Sequence, residues 1–258
     1  MTAVLPTFTP FQADPAWTQI DLLSDVHLQA DMPRTFEAWR AHLLGTPADA
    51  VLILGDLFEV WVGDDARFGP FEAACVEVLR EASRHRALAF LPGNRDFLVG
   101  EALLAETGMQ RLADPTLLQA FGRRWLLTHG DALCLADTAY QQFRRQVRAD
   151  AWQRPFLALP LDERQRQARL MRDASAAHQA GQAADQWSDV DDAATTAWLR
   201  AADADTMVHG HTHRPATHVL AGGHLRHVLG DWDFDHGAPR ARGLRLSAAG
   251  LQVLDLAA

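Results

Sequence analysis

Lysine is absent: every one of the 24 basic residues is an arginine. That excludes a Schiff-base nucleophile and the lysine of a Walker A loop, so any phosphate handled here is handled by arginine, metal or backbone amides. Cysteine is scarce, and Cys75 and Cys134 sit inside apolar stretches at no ligand spacing. Buried thiols in a reducing compartment are expected, rather than a disulfide, a thiolate metal site or redox chemistry. No apolar run reaches the roughly 18 residues of a membrane span, and Met1 to Trp17 lacks the positive-then-apolar pattern of a secretory signal. The chain is expected in the cytoplasm. Cations are outnumbered, 24 against 33 acidic residues for a net charge of −9, which opposes a broad nucleic-acid footprint because such a footprint is mostly phosphate neutralisation.

What is present is apolar residue in quantity, 48% of 258 positions, enough for one sizeable core and a single domain over residues 1–258. Several short apolar runs end abruptly in polar residues and read as buried strands: Ile20 to Leu23 before Ser24-Asp25, and Val51 to Leu54 before Gly55-Asp56. Ala87 to Leu91 runs into Pro92-Gly93-Asn94, Trp125 to Leu127 into Thr128-His129, and Met207-Val208 into His209-Gly210-His211. Between them Phe36, Trp39, Leu43 and then Phe71, Ala74, Val78 recur at helical spacing, so strand and helix alternate as in an α/β sheet, where ligands gather beyond the carboxyl ends of strands.

The last fifty residues read as a run of antiparallel strands, Thr217 to Leu220, a turn at Ala221-Gly222-Gly223, Leu225 to Leu229, Leu244 to Leu246 and Leu251 to Leu254. From about 136 to 186 the pattern is helical, with Tyr140, Phe143 and Val147 at helical spacing and an apolar break from Pro155 to Leu161. This reads as an inserted helical lid or as a surface helical hairpin packed on the sheet.

Each strand end carries a metal-ligand type. Asp25-Val26-His27 places a carboxylate and an imidazole on one side of an extended segment, since strand residues alternate faces. Gly55-Asp56 offers a carboxylate whose two oxygens can serve two ions, Gly93-Asn94 a neutral carbonyl oxygen, His129 an imidazole, and His211-Thr212-His213 two more. Oxygen and nitrogen donors without thiolate suit manganese, iron, zinc or magnesium. Alone, an aspartate after a strand is commonly a helix cap and Gly-Asn a turn. In order at five strand ends, the set points to metal, because burying so many carboxylates and imidazoles without a cation is costly.

In full and in order, the pattern Asp-x-His, Gly-Asp, Gly-Asn, His and Gly-His-x-His resembles that of the calcineurin-like metallophosphoesterases, from Asp25 to His213. The resemblance implies a sandwich of two mixed β-sheets flanked by helices, with two divalent ions sharing Asp56. One ion would take Asp25, His27, Asp56 and His213, the other Asp56, Asn94, His129 and His211. Paired ions of this kind lower the pKa of a shared water and clamp the oxygens of an in-line displacement at phosphorus. Within that reading Asp56, Asn94, Arg95, His129 and His211 carry catalysis. His209 is expected behind the ligands or in a purely structural role.

The third motif usually continues Gly-Asn-His-Asp, but here reads Gly93-Asn94-Arg95-Asp96-Phe97. An arginine stays charged, so it cannot protonate a leaving alkoxide but can hold a phosphate by paired hydrogen bonds. A phosphate leaving from a pyrophosphate needs no proton, since its second pKa is about 6. That substitution, together with Gly55-Asp56-Leu57-Phe58-Glu59-x-Trp61-x-Gly63-Asp64-Asp65, is similar to the UDP-2,3-diacylglucosamine hydrolase family. The similarity implies water attack at the uridine-linked phosphorus of UDP-2,3-diacylglucosamine, release of UMP and 2,3-diacylglucosamine 1-phosphate in lipid A synthesis, and manganese as the usual ion.

It also implies a hydrophobic lid for two acyl chains, worth about 0.8 kcal/mol per buried CH₂. Substrate would meet Asn94, Arg95, Asp137, Tyr140, Arg172, Ser175 and His211. The lysines common in such lids are absent, and His178 to Gln182 offers histidine and glutamine instead. Peripheral attachment to the cytoplasmic face of the inner membrane is expected, with Arg144, Arg145 and Arg148 either facing lipid headgroups or forming a plain solvated face. No nucleic acid and no obligate protein partner is expected. A second reading is a generic nucleotide or phosphodiester hydrolase of the same fold, and a third a catalytically dead metal-binding scaffold, against which the complete ligand set counts.

Overall fold

The computed structural model of the protein describes residues 5–180 and 189–257, with the side chains of 173–180 outside that description. The strongest apolar runs form the parallel centre of one sheet. β2 (Gln19–Leu23), β3 (Ala50–Leu54), β4 (Ala87–Leu91) and β5 (Met109–Arg111) run parallel, and the hairpin of β11 (Arg242–Ser247) and β12 (Gly250–Asp255) adds antiparallel beside β2. A second six-stranded sheet has the order β1 (Thr9–Gln12), β6 (Thr116–Ala120), β7 (Arg123–Leu127), β8 (Thr206–His209), β10 (Leu225–Val228), β9 (Thr217–Val219).

The C-terminal region is antiparallel within each hairpin, as expected, but is not one continuous run. Its four strands are two hairpins in different sheets, and β10 lies parallel to β8. The alternation within each strand is the same for either pairing direction, so local pattern could not choose between them. β1, β5 and β6 were not anticipated; three to five residues long, they lack a polar ligand at their ends to mark them.

β3 is buried at every position, and its alternation explains the layering. Val51 and Ile53 pack toward α1 (Pro33–Gly45), α2 (Pro70–Ser83) and α3 (Glu101–Thr107), among Trp39, Leu43, Leu79 and Leu103. Ala50, Leu52 and Leu54 turn to the interface between the sheets, meeting Leu118, Trp125, Leu127 and Val208. Behind the second sheet, α7 (Asp192–Ala202) packs Trp198 and Leu199 on Leu126 and Met207. The order is helix, sheet, sheet, helix, with the strand ends of both sheets meeting at one edge. Both cysteines are free and buried, and burial pushes the Cys134 thiol up to about 12.

α4 (Thr138–Val147), α5 (Asp150–Leu157) and α6 (Leu161–Ala180) follow β7 and cover that edge. Arg164 fastens α6: its guanidinium donates to the carbonyls of Val62 and Leu159 and pairs with Asp65, while its side chain is buried. A side chain at Gly63, where φ is 128°, would collide with Arg164. The Gly63-Asp64-Asp65 end of the long second motif is thereby explained as the seat of this arginine. Among the described residues no helix is long and apolar enough to cross a membrane.

Asp21, buried on β2, gives a stability prediction. Directly across the ladder Arg245 donates to both its oxygens at 2.6 and 2.9 Å, and Thr46 Oγ1 donates at 2.5 Å, with His42 Nε2 3.3 Å away. Burial alone would raise this carboxyl, but His42, Arg245 and Thr46 outweigh it and hold the pKa at about 2 rather than 3.8. A depressed carboxyl contributes stability above its unfolded pKa and loses it as pH falls through the folded value. Asp21→Asn is therefore expected to cost about 2 kcal/mol at pH 7. In urea unfolding the gap to wild type should close as pH drops from about 4 toward 2; a gap independent of pH would refute the ion pair's contribution.

Candidate functional site

The loops after β2 and β3 run side by side: Asp25 N donates to Gly55 O at 3.1 Å and His27 N to Asp56 O at 3.0 Å. Asp25 and His27 do converge, but not by extended alternation. Their φ values are 54° and 52°, and five of the seven non-glycine residues at positive φ among the described residues are Asp25, His27, Asp56, His211 and His213. Left-handed backbone costs roughly 1–2 kcal/mol per residue, and concentrated here it is the expense of turning each side chain inward at a strand end. Two glycines make the room. A Cβ on Gly55 would lie 2.6 Å from His129 Nδ1, and one on Gly93 only 2.1 Å from Asp56 Oδ1.

All seven expected donors meet. Asp25 Oδ1 lies 3.3 Å from His213 Nε2 and 3.9 Å from His27 Nε2, and these two nitrogens are 3.2 Å apart. Asn94, the chain's only asparagine, sets Oδ1 at 2.8 Å from His129 Nε2 and 2.9 Å from His211 Nδ1. Asp56 Oδ2 is 3.6 Å from His129 Nε2, and Asp25, Asp56 and His129 form one compact set, as do Asp25, His27 and His213.

The tautomers show what this arrangement fits. His129 Nδ1 donates to Leu54 O at 2.9 Å, so its Nε2 presents a lone pair to oxygens that are themselves acceptors. His27 Nδ1 lies 2.8 Å from Glu59 Oε2, and Nε2 faces His213. Lone pairs aimed at lone pairs require a cation between them. In the bare chain protons answer the demand: burial opposes it, but Asp56, Asp25 and Asp131 push His129 up to about 9, and Asp25 raises His213. Burial and the His129 charge take His211 down to about 4, while burial of Asp25 is outweighed by His213, His129 and His27, which draw it well below the usual carboxylate range. The donors suit divalent metal ions.

Three carboxylates to which the sequence reading gave no role organise the site. Asp96 accepts backbone N–H bonds from Leu57 (2.7 Å), Gly93 (2.9 Å), Asp56 (3.2 Å) and Phe58 (3.3 Å), pinning the second and third motifs together; burial and the Asp56 charge raise it to about 7. Glu59 faces His27, Arg95 and Arg172. Asp131 takes Tyr140 OH at 2.7 Å and Arg144 Nε at 2.8 Å. The spacing Gly-Asn-x-Asp and His-Gly-Asp was the available signal for Asp96 and Asp131.

The expected substrate residues divide. Arg95, Asp137, Tyr140, Arg172 and His211 line one cavity of about 310 Å³ together with the donors His27, Asp56, Asn94 and His213. The Tyr140 ring stacks on His211 at 5.9 Å, but its hydroxyl is given to Asp131, and the Asp137 carboxylate caps α4 by accepting from Tyr140 N at 2.9 Å. Arg172 lies 3.2 Å from Glu59. Ser175 falls on α6, with its side chain outside the described residues, as is true of His178 to Ala180; Gly181 and Gln182 lie outside them altogether. Arg144 and Arg148 correct the expectation of a headgroup-facing or solvated stripe. They point inward, Arg144 to Asp131 and Asp114, Arg148 to Gly93 O at 2.8 Å, and only Arg145 of the three is exposed. His209 is fully buried, with Nε2 3.2 Å from Arg226 Nη1, and burial drives its pKa to about 3, so it is a neutral structural ring.

Away from the donors the cavity is apolar, walled by Val60, Phe97, Phe143, Trp152, Phe156 and Met171, with Trp152 and Phe156 stacked at 4.6 Å. The profile of the calcineurin-like phosphoesterases matches residues 18–215, which contain every donor. The chain belongs to the calcineurin-like phosphoesterase family. It is 44% identical over 235 residues to a UDP-2,3-diacylglucosamine hydrolase of Ralstonia nicotianae, covering 87% of each chain. The like-named protein of Bordetella parapertussis is 44% identical over 252 residues (94% and 95% covered), and that of Chromobacterium violaceum 42% over 244 (92% and 98%).

Proposed function

We propose that this hydrolase cleaves the pyrophosphate bond of UDP-2,3-diacylglucosamine at the uridine-linked phosphorus, releasing UMP and 2,3-diacylglucosamine 1-phosphate, a step of lipid A biosynthesis. The observation that carries the reading is that one cavity joins the donor cluster and two arginines to a long apolar wall. Asp25, His27, Asp56 and His213 would hold one ion and Asp56, Asn94, His129 and His211 the other, with manganese in both. Bound there, the ions supply Lewis acidity and a water of lowered pKa.

The chain does the rest. Arg95 and Arg172 stand on the cavity wall to grip phosphate oxygens, and the His211–Tyr140 stack gives a flat boundary beside them. No imidazole stands at position 95, which suits a phosphate leaving group that departs unprotonated. The insertion over about 136–186, within a single domain of residues 1–258, acts as the acyl lid. Val60, Phe143, Leu157 and Leu170 keep 39 to 56% of their surface exposed, apolar area suited to peripheral attachment at the inner-membrane surface. The net charge of −9 gives no purchase for nucleic acid.

A manganese-dependent product assay tests the proposal. UDP-2,3-diacylglucosamine should be hydrolysed with kcat/KM at least about 100-fold above that of UDP-sugars lacking the acyl chains, an increment that burial of only a few methylenes supplies. Equal rates would favour the generic nucleotide hydrolase, and no hydrolysis of either would remove the reading.

A further inference from the structure

We propose that Glu59 is a positioning residue serving both halves of the cavity: it fixes the ring of His27 and holds Arg95 and Arg172 side by side. The proposal rests on the function argued above and adds a role for a side chain outside the donor set.

The two carboxylate oxygens divide the work. Oε2 lies 2.8 Å from His27 Nδ1, while Oε1 lies 3.2 Å from Arg172 Nη2 and 3.5 Å from Arg95 Nη1. A carboxylate is acceptor-only, so its contact with Nδ1 keeps the His27 proton there and leaves Nε2 free for the donor cluster. Around Oε1 the problem is repulsion. Two guanidiniums on one oxygen, on side chains 30% and 39% exposed, would separate into solvent without the negative charge between them.

Glu59 is placed firmly enough for this. Its amide donates to Leu28 O at 3.2 Å, where the loops after β2 and β3 form a parallel bridge between Leu28 and Phe58. Phe58 and Trp61, both nearly inaccessible with rings 4.5 Å apart, anchor the backbone on either side. Only 13% of the Glu59 side chain is exposed. Phe58 thus goes into the core while the Glu59 carboxylate turns to the cavity.

The test uses the full chain and two variants, read by manganese(II) titration calorimetry and by steady-state kinetics on the acylated substrate. The wild type should take up two ions. Glu59→Ala should weaken one of them about 10–100-fold, the effect typical of losing the group behind a metal-bound histidine, and raise KM about tenfold. Glu59→Gln separates the roles, because an amide oxygen still accepts from His27 but an amide cannot neutralise two guanidiniums. Its manganese affinity should return to within about threefold of wild type while KM stays raised about tenfold. A purely structural role would not produce that split. A well-folded Glu59→Ala with two wild-type affinities and wild-type KM overturns the proposal, and so does a Glu59→Gln that binds manganese no better than the alanine variant or has wild-type KM. A wild-type chain that takes up no manganese overturns the metal reading itself, and Glu59 with it.

Discussion

Asp56→Ala is expected to lower kcat/KM by at least about 10³-fold while the protein remains folded with an unchanged or higher melting temperature. The loss follows from position. Asp56 lies in one compact set with Asp25 and His129, and is proposed to bridge two ions whose electrostatic contribution to the transition state is several kcal/mol, each 1.36 kcal/mol being about tenfold in rate. The retained fold follows from what the side chain does not do. Among the described residues its carboxylate accepts one hydrogen bond, from Arg95 N at 2.8 Å, whereas its backbone is held by Asp96, which alanine leaves in place. Removing the charge also relieves Asp96, whose pKa the Asp56 carboxylate raises. Loss of activity without loss of stability is the signature of a group kept for function at a cost to folding. Product assay, manganese stoichiometry and thermal melting on one preparation check it; retained turnover would exclude the paired-metal mechanism.

How far the site was legible depended on where each residue's chemistry shows. The donors were legible because Asp25, Asp56, Asn94, His129 and His211 each interrupt an apolar run, a change of character visible locally. The means of convergence was not, since Asp25 and His27 look like extended alternation yet lie in left-handed backbone. Sheet membership was equally hidden: β2, β3 and β4 belong to one sheet and β7 and β8 to the other, although all five end alike in sequence. Arg144 and Arg148 show a further limit. A polar helical stripe does not reveal whether a buried carboxylate waits beneath it, and Asp131, inside a motif already credited to His129, gave no sign that it did. Glu59 and Asp96 were hidden in the same way, as fifth and fourth residues of motifs whose first members accounted for the pattern.

That buried carboxylate carries the largest stability prediction. Asp131→Ala should lower the unfolding free energy by about 3–5 kcal/mol, because removing one partner of a buried ion pair leaves the others without compensation. Asp131 is fully buried, and its Oδ2 receives Tyr140 OH, Arg144 Nε and, at 3.8 Å, Arg148 Nη2. Burial works against its ionisation, but Arg144 and Arg148 hold it far below the usual carboxylate range. Arg144 keeps Asp114 at 3.2 Å, and that remaining partner places the expected loss toward 3 kcal/mol, roughly 6–12 °C in melting temperature for a chain of this size. Asp131→Asn, which can still accept from Tyr140, should lose less. The consequence for the reaction is indirect and separable. Tyr140 is held by Asp131 at one end and stacks on His211 at the other, so freeing its hydroxyl loosens the start of α4 against the donor cluster. KM for the acylated substrate should rise in Asp131→Asn, in which the fold survives, while Tyr140→Phe keeps the stack and should fall between that variant and wild type. Urea unfolding and KM measured on the same proteins decide it. A change in unfolding free energy below about 0.5 kcal/mol for Asp131→Ala would place the anchor of α4 elsewhere, in the capping carboxylate of Asp137 or the buried Val147.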